Sequence, residues 1–380
     1  MKILFITDLF PISNDNEPRT LEDFVNNWKQ LGHTVDVIKP NFIPNSILRS
    51  KKLFPEQHYK QEPTDYDLHN LNFITPFWFN VSDKLPEGFD VEKYDVIASH
   101  MPAGNLFAQK LLEKKKKHWS CAIHASDIEV LTSPLYKIYF AKKLKNCFLK
   151  ADKIAARSFV LKNKIEELIP EVKGKVFCAY SGIEEKEILP LEIFEKKANQ
   201  FGEDGVIKIT TVSSLIKRKN IQTIINALSK VSFKNWKYSI IGKGKELTYL
   251  KKLAKKLELS DKIEFLGNLP NQDVLRKLEK TDIFVLMSKR ETFGMVYLEA
   301  LAKGNIVIAS KDDGIDGIMK NNQNGFCLST EQELTTLLNE LATSNADYRK
   351  ETLKNAHSTI TNYTKKIAAS NYINILADQF

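Results

Sequence analysis

At 380 residues and 43.5 kDa, the chain exceeds the size at which one hydrophobic core keeps growing, so two domains are expected. Its 27% charged and 43% hydrophobic residues exclude a disordered or fibrous chain, and no apolar run approaches the roughly 18 residues of a membrane-spanning helix. The formal charge of +9 is uneven, with 14 Lys or Arg against 4 Asp or Glu from Lys110 to Lys164, where KKKK stands at 114–117. That stretch reads as solvated helix surface or as attraction to an anionic lipid surface or substrate. It carries no helix-turn-helix, zinc-finger or RNA-binding pattern, so no nucleic-acid partner is expected.

KILFITDLF (2–10) reads as a buried strand and Leu21 to Leu31 as an amphipathic helix, which Gly32 ends. TVDVIK (34–39) follows as a strand, giving a right-handed parallel unit. Met1-Lys2-ILFI thus reads as a strand start, not a signal-peptide core. Residues 41–93 are rich in Pro, Asn and aromatics and predict loops and short strands. YDVIASH (94–100), SCAIHAS (120–126) and Ala151 to Ala156 continue the first sheet. Composition shifts over 184–205, placing a boundary there.

A second alternation then starts with VIKITTVSS (206–214), the helix at 221–231, WKYSIIGKG (236–244) and a helix to Leu259. KIEFLG, DIFVLM and NIVIAS supply further strands, and Asp347 to Asp378 is helical. The fold class is α/β: two tandem Rossmann-like doubly wound domains facing a cleft, where ligands bind beyond strand C-termini. The expected division is 1–190, 191–360, and 361–380 as a helix returning to the N-terminal domain. Cys121, Cys147, Cys178 and Cys327 lack metal or redox spacing, so a reducing cytoplasm is the expected compartment.

SKRETFGMVYLEALAKGNIVIAS (288–310) carries the most chemistry. Glu291 follows an apolar strand, Gly294 turns the chain, and Glu299 lies on the helix predicted from Met295 to Lys303. Carboxylates flanking a glycine-led helix start suit a sugar, a diphosphate and a ribose. Gly242-Lys-Gly244 looks like a dinucleotide fingerprint but has Leu247 in place of the third glycine, so it predicts only a tight turn. Asp65-Tyr66-Asp67 lies in loop-rich sequence and does not read as a metal-binding pair.

Five ordered blocks, TTVSSLIKRKNIQTIINAL, YSIIGKGKELTYLKKLAKKL, IEFLGNLPNQDV, SKRETFGMVYLEALAKGNIVIAS and NNQNGFCLS, resemble the retaining nucleotide-sugar glycosyltransferases of family 4, which have the glycosyltransferase-B fold. KILFITDLF, QLGHTVDVI, IHASD, ADKIAARS and YSGI extend the resemblance through the N-terminal half. It implies that Glu291 faces the hydroxyls of the donor sugar and that Glu299 binds the ribose. The amides of Phe293, Gly294, Met295 and Val296 are implied to meet the β-phosphate, and Lys219 the diphosphate. Gly267, Asn268 and Leu269 match the loop lining the nucleotide base. His124 matches the histidine that contacts the transferring sugar.

The chain departs from that pattern at several points. Ser214 stands where many members place an arginine, leaving Arg218 or Lys217 to substitute, although neighbours in an extended loop point differently. The loop 11–20 lacks a Gly-Gly pair, so Asn16 and Arg19 become candidates for acceptor or phosphate contact. Thr292 and Asp313 each replace a usual glycine. The implied function is retaining transfer of a sugar from a UDP- or GDP-sugar to a glycan or lipid-linked acceptor, in cell-surface polysaccharide synthesis. His124, Glu291 and Lys219 are the catalytic candidates, with no permanently bound cofactor and no required metal. A nucleotide-sugar epimerase and a catalytically weakened basic peripheral adaptor of the same fold remain open.

Overall fold

The computed structural model describes residues 1–11, 20–44, 58–60, 67–75, 85, 88–135 and 140–378. The chain folds as two compact units, Met1–Ser181 with Lys365–Phe380, and Gly182–Thr364.

In the first unit, β1 (Lys2–Thr7) is followed by α1 (Glu22–Gln30), β2 (Thr34–Pro44), β3 (His58–Lys60) and β4 (Asp67–Thr75). Then come β5 (Val96–His100), α2 (Met101–Leu111), β6 (His118–Ile123), α3 (Ala125–Thr132) and α4 (Phe140–Lys150). β7 (Lys153–Ala156), α5 (Phe159–Leu168) and β8 (Val176–Cys178) complete the sheet. Among the described residues its order is β3-β4-β2-β1-β5-β6-β7-β8, parallel except for β3 against β4. Ile3, Leu4, Phe5 and Ile6 are all fully buried, as a strand covered on both faces requires. The expected first strand runs to Phe10 but ends at Thr7, whose hydroxyl accepts the Leu9 N–H at 3.1 Å and turns the chain. β2 outruns its expected end, because Val37 to Pro44 pair in parallel with Leu68 to Thr75 of β4.

The second unit holds α6 (Leu191–Asn199), β9 (Ile207–Val212), α7 (Ile221–Leu228), β10 (Trp236–Ile241), α8 (Leu247–Lys256) and β11 (Ile263–Gly267). α9 (Asn271–Glu279), β12 (Ile283–Leu286), α10 (Met295–Ala302), β13 (Ile306–Ser310) and β14 (Phe326–Leu328) follow. α11 (Glu331–Thr343) and α12 (Ala346–Ile360) close the unit. Its parallel sheet has the order β11-β10-β9-β12-β13-β14. The chain winds outward from β9 to β11, then returns to β12 on the other side of β9. β9 and β12 therefore flank the point where the winding reverses, the usual binding crevice of such sheets. Ile283, Phe284, Val285 and Leu286 are fully buried there, each contributing roughly 1.5–3 kcal/mol through burial.

Residues 182–190, expected with the N-terminal body, lie with the second unit. Leu189 N–H donates to Ala302 at 3.0 Å, and Lys303 pairs with Glu187 at 2.9 Å. Residues 361–364 stay there too, since Ile183 N–H donates to Tyr363 at 2.9 Å. From Lys365 the chain joins the first unit as α13 (Lys365–Ala377). Trp28 of α1 donates its indole N–H to the Ala369 carbonyl at 3.0 Å, and Tyr372 meets Trp28 edge-on with centroids 5.2 Å apart.

Candidate functional site

The second unit gathers its polar loops at the carboxyl ends of β9 to β13. After β9 the chain passes through an exposed Ser214 and forms a 3-10 turn over Lys217–Lys219. Asn220 then takes a left-handed conformation, φ 55°, and starts α7. After β12 it runs through Ser288 to Gly294, with Arg290 at φ 62°. The two loops are tied directly, because Lys289 N–H donates to the Arg218 carbonyl at 2.7 Å.

Lys219 and Glu291, 72 positions apart, meet across this switch point as an ion pair between Nζ and Oε2. Arg218 Nη1 lies 3.7 Å from the same oxygen. The expectation that Arg218 would point elsewhere assumed an extended loop; the 3-10 turn brings consecutive side chains round to one carboxylate. Lys219 is 8% exposed, so its charge is held close to its partner, whereas a pair on open surface is worth little.

Gly294 supplies the turn into α10 at φ 85°. A Cβ there would lie 2.5 Å from Cδ2 of Tyr297, a buried ring whose hydroxyl donates to the Leu286 carbonyl at 2.9 Å. Close packing of Tyr297 against β12 thus demands glycine at 294 as much as the dihedral does. The first amides of α10, at Met295 and Val296, have no acceptor within the helix and sit at its positive end. Glu299, one turn on, is half-buried between the buried Leu298 and Ala300. Gly267 lies at the end of β11, φ 69°, and its carbonyl accepts from Gly242 at 2.7 Å; Asn268 beyond it is exposed and Leu269 half-buried.

Asp313, in the turn after β13, is 7% exposed. Its Oδ1 accepts the backbone N–H of Glu291 at 2.6 Å and its Oδ2 accepts the Ser288 hydroxyl at 3.2 Å. Burial outweighs these bonds and pushes its pKa up to about 6, with nearby Glu291 adding to the rise. Gly314 fits against the Phe293 carbonyl, which a Cβ would approach to 2.6 Å.

His124 belongs to the first unit. β6 ends at Ile123, so His124 caps α3 and is not the last strand residue. Its Nε2 lies 3.3 Å from Nδ1 of His100, whose Nε2 lies 3.2 Å from the Tyr372 hydroxyl. Burial drives both imidazole pKa values down, that of His124 to about 3, with Arg157 adding to the shift. Both rings therefore favour the neutral form near pH 7. The side chain of Asp127, whose pKa burial pushes up to about 8, accepts the His124 N–H at 2.7 Å and fixes the start of α3. Arg157 is buried, donates to the Ala179 carbonyl at 2.6 Å and stands over the Phe24 ring at 4.8 Å. Asn16, Arg19, Asp65 and Tyr66 lie outside the described residues.

Residues 193–359 match the family described as "Glycosyl transferases group 1". That match lies within the second unit, and it is this unit that is similar to the group 1 glycosyl transferases. An uncharacterised glycosyltransferase of Methanocaldococcus jannaschii is 29% identical over 304 residues, 78% of this chain and 76% of that protein. The N-acetyl-alpha-D-glucosaminyl L-malate synthase of Bacillus anthracis is 24% identical over 297 residues, 75% of this chain and 74% of its own. Among solved structures, Anabaena HepE in complex with UDP aligns over 100% of both chains with a TM-score of 0.73 at 16% identity, a likeness of fold. The two wound sheets are thus the Rossmann-like domains of the glycosyltransferase-B class.

Within the second unit, Lys219, Arg218 and Glu291 converge on one another, and the Phe293–Val296 segment follows Glu291 directly. Sequence reasoning missed two contributions. Asp313 is noticed as a departure from glycine, but nothing in its neighbours reveals the contact with Glu291 N–H, because the partners lie 22 positions apart. His100 is missed as the partner of His124, although a signal exists: His100 ends β5 and His124 directly follows β6, adjacent parallel strands paired Ser99 to Cys121. Among the described residues, no group of three or more His, Cys, Asp or Glu is spaced to hold a metal ion.

Proposed function

We propose that this protein is a retaining hexosyltransferase that takes its sugar from a UDP- or GDP-sugar and passes it to a glycan or lipid-linked glycan acceptor. The observation that carries this reading is the convergence of Lys219, Arg218 and Glu291 at the switch point, beside the glycine-led start of α10. Lys219, Arg218 and the amides of Gly294, Met295 and Val296 neutralise the diphosphate, which gains charge as the sugar departs. Glu291 accepts hydrogen bonds from the sugar hydroxyls and Glu299 from the ribose, while Gly267, Asn268 and Leu269 line the base. His124, whose burial favours the neutral ring, orients the sugar and need not act as a base. The positive charge the diphosphate needs is then present in the chain itself, so the reaction is proposed to run without an added metal. HepE, of the same fold, was solved with UDP, which supports UDP as the first nucleotide to try.

The lysines at 115–117 and helix α4 make the first unit a candidate for an anionic membrane surface on the cytoplasmic side, as in cell-surface polysaccharide synthesis. Equal sedimentation with neutral and anionic vesicles would remove that part of the proposal. No helix among the described residues is long and apolar enough to cross a membrane.

Incubation with UDP- and GDP-hexoses, with the product anomer read by NMR, tests the activity. Release of the sugar with its anomeric configuration retained supports it; inversion, or conversion to an epimeric nucleotide sugar, overturns it. Neither turnover nor nucleotide binding would leave the adaptor reading in its place. Lys219→Ala is expected to raise the nucleotide Kd about tenfold or more, since a hydrogen bond to a charged group contributes roughly 1.5–3 kcal/mol. Titration calorimetry with UDP and GDP checks it, and an unchanged Kd removes Lys219 from the site.

A further inference from the structure

We infer that Asp313 is a positioning residue that sets the Glu291 backbone, and through it the carboxylate facing the donor sugar. This rests on the reading of Glu291 given above. Both oxygens of Asp313 are spent on the loop that carries Glu291: Oδ1 on the Glu291 N–H at 2.6 Å, Oδ2 on the Ser288 hydroxyl at 3.2 Å. The same loop is also held two residues earlier, where the Lys289 N–H donates to the Arg218 carbonyl at 2.7 Å, but at Glu291 itself the backbone N–H is taken by Asp313. Arg290, just before Glu291, holds a left-handed φ of 62°, an uncommon state for a side-chain-bearing residue that needs outside support. The turn behind Asp313 is pressed against the same loop, where Gly314 leaves no room for a Cβ beside the Phe293 carbonyl. Lys219 and Arg218 pull on the Glu291 side chain from the other side. The carboxylate is therefore aimed between a cation pair and a backbone brace, and the brace is Asp313.

The brace is also sensitive to pH. The groups facing Asp313 are Glu291 and the Tyr297 hydroxyl, with Lys219 and Arg218 beyond Glu291, and Asp312 and Asp316 on its own turn. Its pKa of about 6, raised by burial, leaves it ionised at pH 8 and protonated at pH 5. Charge-assisted bonds are roughly twice as strong as neutral ones, so acidification loosens the Glu291 N–H contact. Stability runs the opposite way. For a carboxyl whose folded pKa is raised, its stabilising contribution is complete below about pH 4 and is lost as pH rises through about 6.

Two measurements decide it. In the full-length protein without ligand, the Glu291 amide resonance is expected to titrate near pH 6, and Asp313→Asn is expected to abolish that titration. With UDP-glucose as the probe donor, Asp313→Ala is expected to lower kcat/KM at pH 8 at least tenfold while the UDP Kd changes less than twofold. Asp313→Asn should be flat between pH 5 and pH 8, near the value of the unsubstituted protein at pH 5. A Glu291 amide that does not titrate, or full kcat/KM in Asp313→Ala, overturns the inference. If the unsubstituted protein neither binds UDP nor turns over UDP-glucose, the donor reading is what fails, and the amide titration alone decides the role of Asp313.

Discussion

Glu291→Ala is expected to lower kcat/KM for the nucleotide-sugar donor by about 100-fold, while the Kd of UDP or GDP alone stays the same or falls. The loss follows from the chemistry of a carboxylate that accepts two hydroxyl hydrogen bonds, at roughly 1.5–3 kcal/mol for each bond to a charged group. The second half of the expectation comes from the geometry. Glu291 is the partner of Lys219, and Arg218 stands 3.7 Å from the same oxygen. Removing the carboxylate frees both cations for the diphosphate, so the nucleotide loses nothing and the sugar loses its anchor. Lys219→Ala should do the reverse, weakening nucleotide and nucleotide sugar alike. Calorimetry with the nucleotide beside steady-state kinetics with the sugar donor separates the two. A Glu291→Ala protein that binds UDP or GDP much more weakly would place the carboxylate's role in folding the loop, not in holding the sugar.

The largest expected effect on stability is at Gly242. Its φ is 136°, and a Cβ there would come within 1.8 Å of the Ser213 carbonyl oxygen, an atom of another backbone segment that cannot rotate aside. Gly242→Ala is therefore expected to destabilise the protein by about 3 kcal/mol or more, combining a strained dihedral with forced displacement of the loop after β9. Gly267→Ala is the control. Its φ of 69° is also left-handed, but the nearest atom to a Cβ is Lys243 Cε at 3.9 Å, so only the dihedral cost of roughly 1–2 kcal/mol applies. Urea unfolding of the two variants should show a clear gap between them. Equal midpoints would mean that the loop after β9 yields easily, and that its contact with Gly242 does not hold it.

That contact also explains the glycines of GKG. Gly242 and Gly244 admit the backbone at Ser213 and Leu215, the second with a Cβ approach of 2.2 Å to the Leu215 carbonyl. They serve chain-to-chain packing beside the 3-10 turn of Lys217–Lys219, as expected of a tight turn lacking the third glycine of a dinucleotide fingerprint.

Much of the fold was legible because burial writes itself into runs of residues. Strands such as ILFI in β1 and IFVL in β12 are apolar throughout because both faces are covered, and the alternation of strand and helix allows little but a wound parallel sheet. The region 41–93 was harder, because β4 pairs with a β2 that continues through Pro40, Asn41 and Pro44, residues that weaken a strand signal. The unit boundary moved to Ser181 for a similar reason: the pairing of Glu187 with Lys303 joins residues 116 positions apart.

The candidate site divides in the same way. Glu291, Gly294 and Glu299 could be read directly, since a strand, a glycine and a helix start within about a dozen residues constrain one another. The sequence by itself therefore determined the two wound sheets, the glycine-led helix and the carboxylates around it. Only the tertiary structure decided which charges meet. Lys219 and Arg218 reach Glu291 because a 3-10 turn after β9 faces the loop after β12, and Asp313 reaches its backbone because the turn after β13 folds over it. Those are contacts between loops that follow neighbouring strands of a parallel sheet. Their sequence separation is set by the helices between them, so no local pattern records them.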